Sequence, residues 1–188
     1  MILTEERSSA VRRHSSGARK QPAQLDLFVV IDSSEASLRA VQYLADLFAR
    51  RPHVHFCLMS LMPKVPAALL ETGGAERPQD EAQIEANLRE RQEDWMSSAA
   101  GPAEDVIGGA RATLRRAGAR AGAIRACQMS PLDNRTTVDE VLTVAEQQAC
   151  RTIVVGHLAH SWFSGIGGGH LAEQLVRAAD GRAVWVID

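Results

Sequence analysis

No apolar run in this 188-residue chain approaches the roughly 20 residues needed to cross a bilayer, so no membrane partner is expected. The opening MILTEERSSAVRRH lacks the apolar centre of a secretory signal, and export is not expected either. Excess charge is missing too: 21 Lys and Arg stand against 23 Asp and Glu, a formal net charge of −2. A chain so nearly balanced exerts no long-range pull on nucleic acid or on an anionic membrane surface, and no nucleic-acid partner is expected. Cysteine is scarce. Cys57, Cys127 and Cys150 are odd in number, far apart and without CxxC spacing. That pattern fits reduced core cysteines in the cytoplasm better than a disulfide or zinc framework. No internal repeat is visible.

What is present suits one globular domain. The length is enough to bury a real core, and 45% hydrophobic with 23% charged residues is an ordinary globular balance. Segment 1–24 stands apart, because Arg12, Arg13, Arg19 and Lys20 are mixed there with serines and with almost no apolar periodicity. Such a stretch cannot bury enough surface to offset its ordering entropy and predicts a disordered basic tail. The ordered domain is expected over 25–188.

From there the hydrophobic period alternates between strand and helix. Leu27 to Ile31 is a continuous apolar run, as expected of a strand buried on both faces. Asp32-Ser33-Ser34-Glu35 supplies capping oxygens and an early acid, and Leu38, Val41, Leu44, Ala45 and Phe48 follow at helical spacing. After Arg50-Arg51-Pro52, HVHFCLMSL reads as a second strand, and the Pro- and Gly-rich stretch from Pro63 to Pro78 as a long loop. A charged helix is predicted from Gln79 to Ser98 with Ile84, Leu88 and Trp95 inward. Gly101-Pro102 should break it before a second helical piece carrying Val106, Ala110 and Leu114. AIRACQM is a short third strand, and Thr137 to Glu140 has the spacing of a capping box. Thr152 to Val155 is a fourth strand, Leu171, Leu175 and Val176 mark a last helix, and AVWVI is a fifth strand. Strands alternating with helices imply right-handed crossovers and a mainly parallel sheet covered on both sides. Ligands of such sheets bind beyond the carboxyl ends of the strands, where strand order switches. Attention therefore falls on Asp32, the segment after Ser60 and the loop after Val155.

That loop, Gly156 to His170, holds glycines Gly156, Gly165, Gly167, Gly168 and Gly169 between a strand and a helix. Glycine lets backbone approach an anion, and free amides at a helix start point toward it, so a phosphate cradle and a plain flexible connection both fit. The spacing matches neither GxxxxGK followed by Ser or Thr nor GxGxxG, and the loop has no lysine, which disfavours a P-loop NTPase or a Rossmann dehydrogenase. His157, His160 and His170 lack a nearby carboxylate or thiolate to complete a zinc set, so no metal site is expected. Ser161 and Ser164 sit in no GxSxG elbow, and no catalytic residue is assigned. Trp162 and Phe163 read as an apolar plug. Asp32 suits either a helix cap or a ligand contact, and Trp185 either core packing or a dimer seam.

The opening VVIDSSEASLRAVQYLADLF and the closing TIVVGHLAHSWFSGIGGGHLAEQLVRAADGRAVWVID resemble the two signature ends of universal stress protein domains, over about residues 26 to 188. The resemblance implies an α/β three-layer sandwich with a five-stranded parallel sheet in the order 3-2-1-4-5, of the adenine nucleotide alpha hydrolase-like type. It also implies a regulatory role in stress response and a homodimer paired through the last strand. Some members bind ATP through a loop written Gly, two residues, Gly, nine residues, Gly, then Ser or Thr. Those positions fall here on Gly156, Ala159, Gly169 and His170, with Leu171 next at the helix start. The family's first-strand aspartate matches Asp32, and its adenine contact after the second strand matches Leu61. The implied ligand is an adenine nucleotide, ATP or AMP with magnesium.

Ala159 and His170 depart from that pattern, since a methyl stands where close backbone approach is expected and an imidazole replaces a small hydroxyl. Two readings stay open. One is a regulator that senses an adenine nucleotide. The other is a dimeric interaction module whose degenerate cleft no longer holds ATP. A weakly nucleotide-hydrolysing enzyme is disfavoured, because no base, metal-ligand set or phosphate lysine is evident.

Overall fold

The computed structural model describes residues 24–61, 65–70, 78–127, 136–157 and 171–188. Five strands, β1 (Leu25–Ile31), β2 (Val54–Ser60), β3 (Ile124–Cys127), β4 (Thr152–Gly156) and β5 (Ala183–Ile187), form one sheet in the order β3-β2-β1-β4-β5. Every pairing is parallel. Between them run helices α1 (Glu35–Phe48), α2 (Pro78–Arg116), α3 (Thr137–Gln147) and α4 (Leu171–Ala178). The basic tail predicted over 1–24 lies, except for Gln24, outside the described residues.

Alternation along β1 splits the core. Leu27, Val29 and Ile31 pack with Val41 and Leu44 of α1 and Ala110 and Leu114 of α2. Phe28 and Val30 point the other way, toward Val138, Val141 and Ala145 of α3 and Ala172 and Leu175 of α4. Helices thus cover both faces, which gives three layers. β1 is buried on both sides because it is the middle strand, which is why its sequence is an unbroken apolar run. Each fully buried Phe or Leu here contributes roughly 1.5–3 kcal/mol relative to exposure.

Several local expectations need correction. Gly101-Pro102 does not break its helix: α2 runs continuously through Pro102 for 39 residues. An interior proline costs about 3 kcal/mol. Attachments on both sides hold the helix through it: Gln92 Nε2 donates to the Leu69 carbonyl at 2.7 Å, and Ala110 and Leu114 are buried in the core. Ile84 is exposed rather than inward, in a stretch of α2, residues 81–87, that is exposed throughout, and Leu38 and Val176 face outward as well. The N-cap of α3 is Thr136, one residue before the predicted box, and its hydroxyl accepts from the Asp139 amide at 3.1 Å. Of the loop read over 63–78, residues 65–70 are described, with a short 3-10 turn at Ala67–Leu69, and Pro78 already begins α2.

The largest correction concerns cysteine. Cys57 and Cys127 are joined by a disulfide, not reduced. Parallel pairing sets Cys57 opposite Arg125 and Met59 opposite Cys127, so the two cysteines are diagonal neighbours on one sheet face, with Cα atoms 6.3 Å apart. The bridge removes the cysteine argument for a reducing compartment. Cys150 remains a free, buried thiol, as expected. No helix among the described residues is long and apolar enough to cross a membrane.

Candidate functional site

β1 ends at Ile31, and the chain must turn at once into α1. Ser34 makes that turn as the N-cap, its Oγ accepting from the Ser37 amide at 3.1 Å. Asp32 is therefore not the helix cap. Its Oδ1 accepts from the Ser34 amide at 3.0 Å and from the Ser34 hydroxyl at 2.5 Å, and its own amide donates to Ser37 Oγ at 2.9 Å. The residue is 5% exposed, and Oδ2 is buried with no hydrogen-bond partner among the described residues. A carboxylate oxygen left in this state costs free energy, so its orientation asks for a ligand or solvent donor.

Asp32 lines a cavity of about 340 Å³ at the carboxyl ends of β1 and β2. Ser33 shares its β1 rim, Ser60 and Leu61 form the β2 rim, and the face of α2 from Trp95 to Val106 closes the far side. The volume lies at the lower end of the roughly 300–1,000 Å³ of small-molecule sites. Leu61 is held in place by its amide, which donates to the Ile31 carbonyl at 2.9 Å and extends the β1–β2 ladder by one residue.

A second, small cavity of about 10 Å³ lies between β1 and β4, where the strand order reverses. Asp32, Leu61, Gly156 and Leu171 all line it. Four of the seven residues singled out from sequence thus meet at one crevice. Ala159, Gly169 and His170 lie outside the described residues, as do His160, Ser161, Trp162, Phe163 and Ser164. His157 is described at the end of β4, with its Nδ1 3.5 Å from Asp188 Oδ1.

Gly156 has a packing reason of its own. A Cβ there would sit 2.6 Å from the backbone carbon of Ala36 and 2.8 Å from the Ser37 amide nitrogen. Glycine at this position lets the end of β4 press against the first turn of α1, whatever the loop beyond it holds. Ser33, Ser60 and the α2 face were not singled out as cavity residues. The one available signal was the spacing of Trp95, Ala99, Pro102 and Val106 along a single helical face. Among the described residues no three His, Cys, Asp or Glu side chains gather to hold a metal ion.

Comparison with known proteins agrees with this architecture. No curated protein matches the sequence. Among solved structures, universal stress protein UspA from Lactobacillus plantarum is 15% identical with a TM-score of 0.51, over 88% of this chain and 99% of that one. The universal stress protein from Archaeoglobus fulgidus is 16% identical with a TM-score of 0.50, over 88% of this chain and 95% of that one. A structure of the Archaeoglobus fulgidus universal stress protein in complex with dAMP matches at 16% identity and a TM-score of 0.48, over 88% and 98%. At such identities the likeness is one of fold, and the parallel sheet in the order 3-2-1-4-5 with helices on both faces is the adenine nucleotide alpha hydrolase-like arrangement. The sequence model of the universal stress protein family matches residues 26–187, from β1 to β5, and this chain belongs to that family.

Proposed function

We propose that this protein is a non-catalytic regulator that holds an adenine nucleotide in the cavity at the carboxyl ends of β1 and β2. The observation that carries the reading is Asp32, which lines a cavity large enough for a small ligand and whose buried Oδ2 has no hydrogen-bond partner among the described residues. A carboxylate oxygen fixed there through its sister atom's bonds to Ser34 is a ready acceptor for ribose hydroxyls or a base amine. Leu61 supplies an apolar contact beside it. Magnesium, when it accompanies the nucleotide, is held chiefly by the phosphates. Asp32 acts in this reading as a hydrogen-bond acceptor, not as a base, and no turnover is assigned.

The affinity is expected in the micromolar range, so that little nucleotide survives purification. Calorimetric titration of ATP and AMP, each with and without magnesium, tests it. Saturable binding at one site per chain that Asp32→Asn weakens at least tenfold is the expected result. No binding of either nucleotide at millimolar concentration would defeat the nucleotide reading and leave the interaction module with a degenerate cleft.

A specific observation also favours pairing between copies. β5 is an edge strand, and beside it Tyr43 and Leu47 of α1 and Val186 of β5 are all exposed. An apolar patch along an open strand edge is the kind of surface a homodimer covers. We infer a homodimer paired through the last strand.

A further inference from the structure

We propose that two arginine-rich turns at the amino-terminal end of the sheet form a sequence-independent binding surface for the phosphate backbone of a nucleic-acid duplex. The surface lies at the opposite end of β2 from the Asp32 cavity, so the proposal does not depend on the nucleotide reading.

The overall balance of 21 basic against 23 acidic residues conceals how the charges are placed. Two stretches, 47–70 and 106–132, hold no Asp or Glu at all. The first carries Arg50 and Arg51 in the turn from α1 to β2. The second carries Arg115, Arg116 and Arg120 at the passage from α2 to β3. β2 and β3 are neighbouring parallel strands, so both turns enter the sheet at the same end. Two hydrogen bonds tie the turns together: Arg50 Nε donates to the Ala117 carbonyl at 3.2 Å, and Arg120 Nη2 donates to the Pro52 carbonyl. All five arginines are exposed. None of them pairs with a carboxylate among the described residues.

α1 and α2 both end here, and the partial charge at a helix C-terminus is roughly −0.5. Two such ends offset about one of the five positive charges. The rest repel one another across the adjoining turns, and an anionic partner relieves that repulsion. Every member is arginine, whose planar fork meets phosphate oxygens two at a time. Arg120 stands between Ala117-Gly118-Ala119 and Ala121-Gly122-Ala123, small residues that let a phosphate backbone come close. No large apolar side chain is exposed in either turn, 49–53 or 117–123. A protein partner would therefore find no anchor pocket or aromatic hot spot there, and a bilayer no group to take up. Neither turn holds a Phe, Tyr or Trp, so the bases of a single strand have nothing to stack on. What remains is a duplex held through its phosphates. With the whole chain nearly neutral, the attraction acts only within about 10 Å at 0.1 M salt, and the contact is weak and salt-sensitive.

The experiment is fluorescence anisotropy of two labelled DNA duplexes of unrelated sequence, each of about 20 base pairs, titrated with the full chain. Both should bind alike, and affinity should fall roughly 100-fold between about 50 and 200 mM salt, as for about four neutralised phosphates. Arg51 and Arg115 make no side-chain hydrogen bond among the described residues, so they can be changed without untying the turns. Arg51→Gln and Arg115→Gln should each weaken both duplexes and reduce the slope of log affinity against log salt by about 1. Arg51→Glu with Arg115→Glu should abolish binding while the melting curve stays cooperative. Arg91→Gln, on the exposed stretch of α2, should change nothing. A wild-type chain that leaves both duplexes unbound at the lowest salt overturns the proposal. Binding that survives the double charge reversal also overturns it, by placing the contact elsewhere, as on the basic stretch of 1–24. Tighter capture of a poly-glutamate peptide than of either duplex would give the surface to an acidic protein segment and overturn it too.

Discussion

Cys150 lies 2% exposed in the cluster covered by α3 and α4. Burial pushes its thiol above the ordinary value of 9.0, the Asp26 carboxylate adds to the rise, and Arg125 opposes it. The native fold therefore holds the neutral thiol more firmly than the unfolded chain does. That contribution to stability is fully present below about pH 9 and is lost as pH climbs through the raised native value. The same burial protects the sulfur from reagents, while Cys57 and Cys127 are committed to their bridge. A thiol-specific reagent at pH 8 should accordingly find no thiol in the native protein, one after unfolding without reductant, and three after reduction. Three thiols on unfolding alone would remove the bridge. None of this pairing was legible beforehand, since 70 residues separate Cys57 from Cys127 and only the β2–β3 register brings them together. The place of Asp32 at the carboxyl end of the first strand was legible, and it does line a cavity there. That Ser34 rather than Asp32 takes the cap was not. Gly156 was read through its loop, whereas its close approach to Ala36 and Ser37 comes from packing that no local pattern encodes.

At the scale of elements, the ends of α2 and α3 follow one design with one difference. After α2, the Ala119 amide donates to the Leu114 carbonyl and the Gly118 amide to Arg115, with Gly118 at φ +111°. After α3, the Cys150 amide donates to Ala145 and the Ala149 amide to Glu146, with Ala149 at φ +54°. Both are the paired-bond ending that favours glycine in the left-handed position. Ala149 places a Cβ where the left-handed conformation costs roughly 1–2 kcal/mol. Ala149→Gly should relieve about 1 kcal/mol, partly offset by the greater freedom of the unfolded chain. The expected result is a melting temperature higher by about 2–4 °C for a domain of this size. A lower melting temperature would show that Ala149 is unstrained. The strands were readable as elements because burial on both faces writes itself as continuous apolar runs. α2 was misread at Pro102 because a local breaker rule ignores what tertiary attachments on either side of a proline can hold. Ile84 was misread for a related reason: helical spacing identifies a stripe, but only tertiary contacts decide how much of the stripe has something to pack against.

For the whole molecule, strand order decides where chemistry can occur. The chain steps outward from β1 to β2 and β3, then returns to place β4 and β5 on the other side. Asp32 at the end of β1 and Gly156 at the end of β4 therefore flank the reversal, and Leu61 joins them from β2. The same order leaves β5 at an edge. There Trp185 stacks on Phe48 with ring centroids 5.7 Å apart, so it belongs largely to this chain's own packing rather than to a surface. The side chains free to meet a second copy are Tyr43 at 50%, Leu47 at 46% and Val186 at 43% exposure. A charge at Trp185 would disturb folding and pairing together and could not separate them. Leu47→Arg and Val186→Arg each place a charge on the exposed patch while leaving the Phe48–Trp185 stack in place. If the last strand is the seam, each should shift the mass measured by light scattering from dimer to monomer, with a melting curve that remains cooperative. A dimer that survives both substitutions would move the interface elsewhere. Because the Asp32 cavity sits at the carboxyl ends of β1 and β2, the monomeric variants should bind ATP as the wild type does, an outcome that separates the proposed pairing from the proposed nucleotide site.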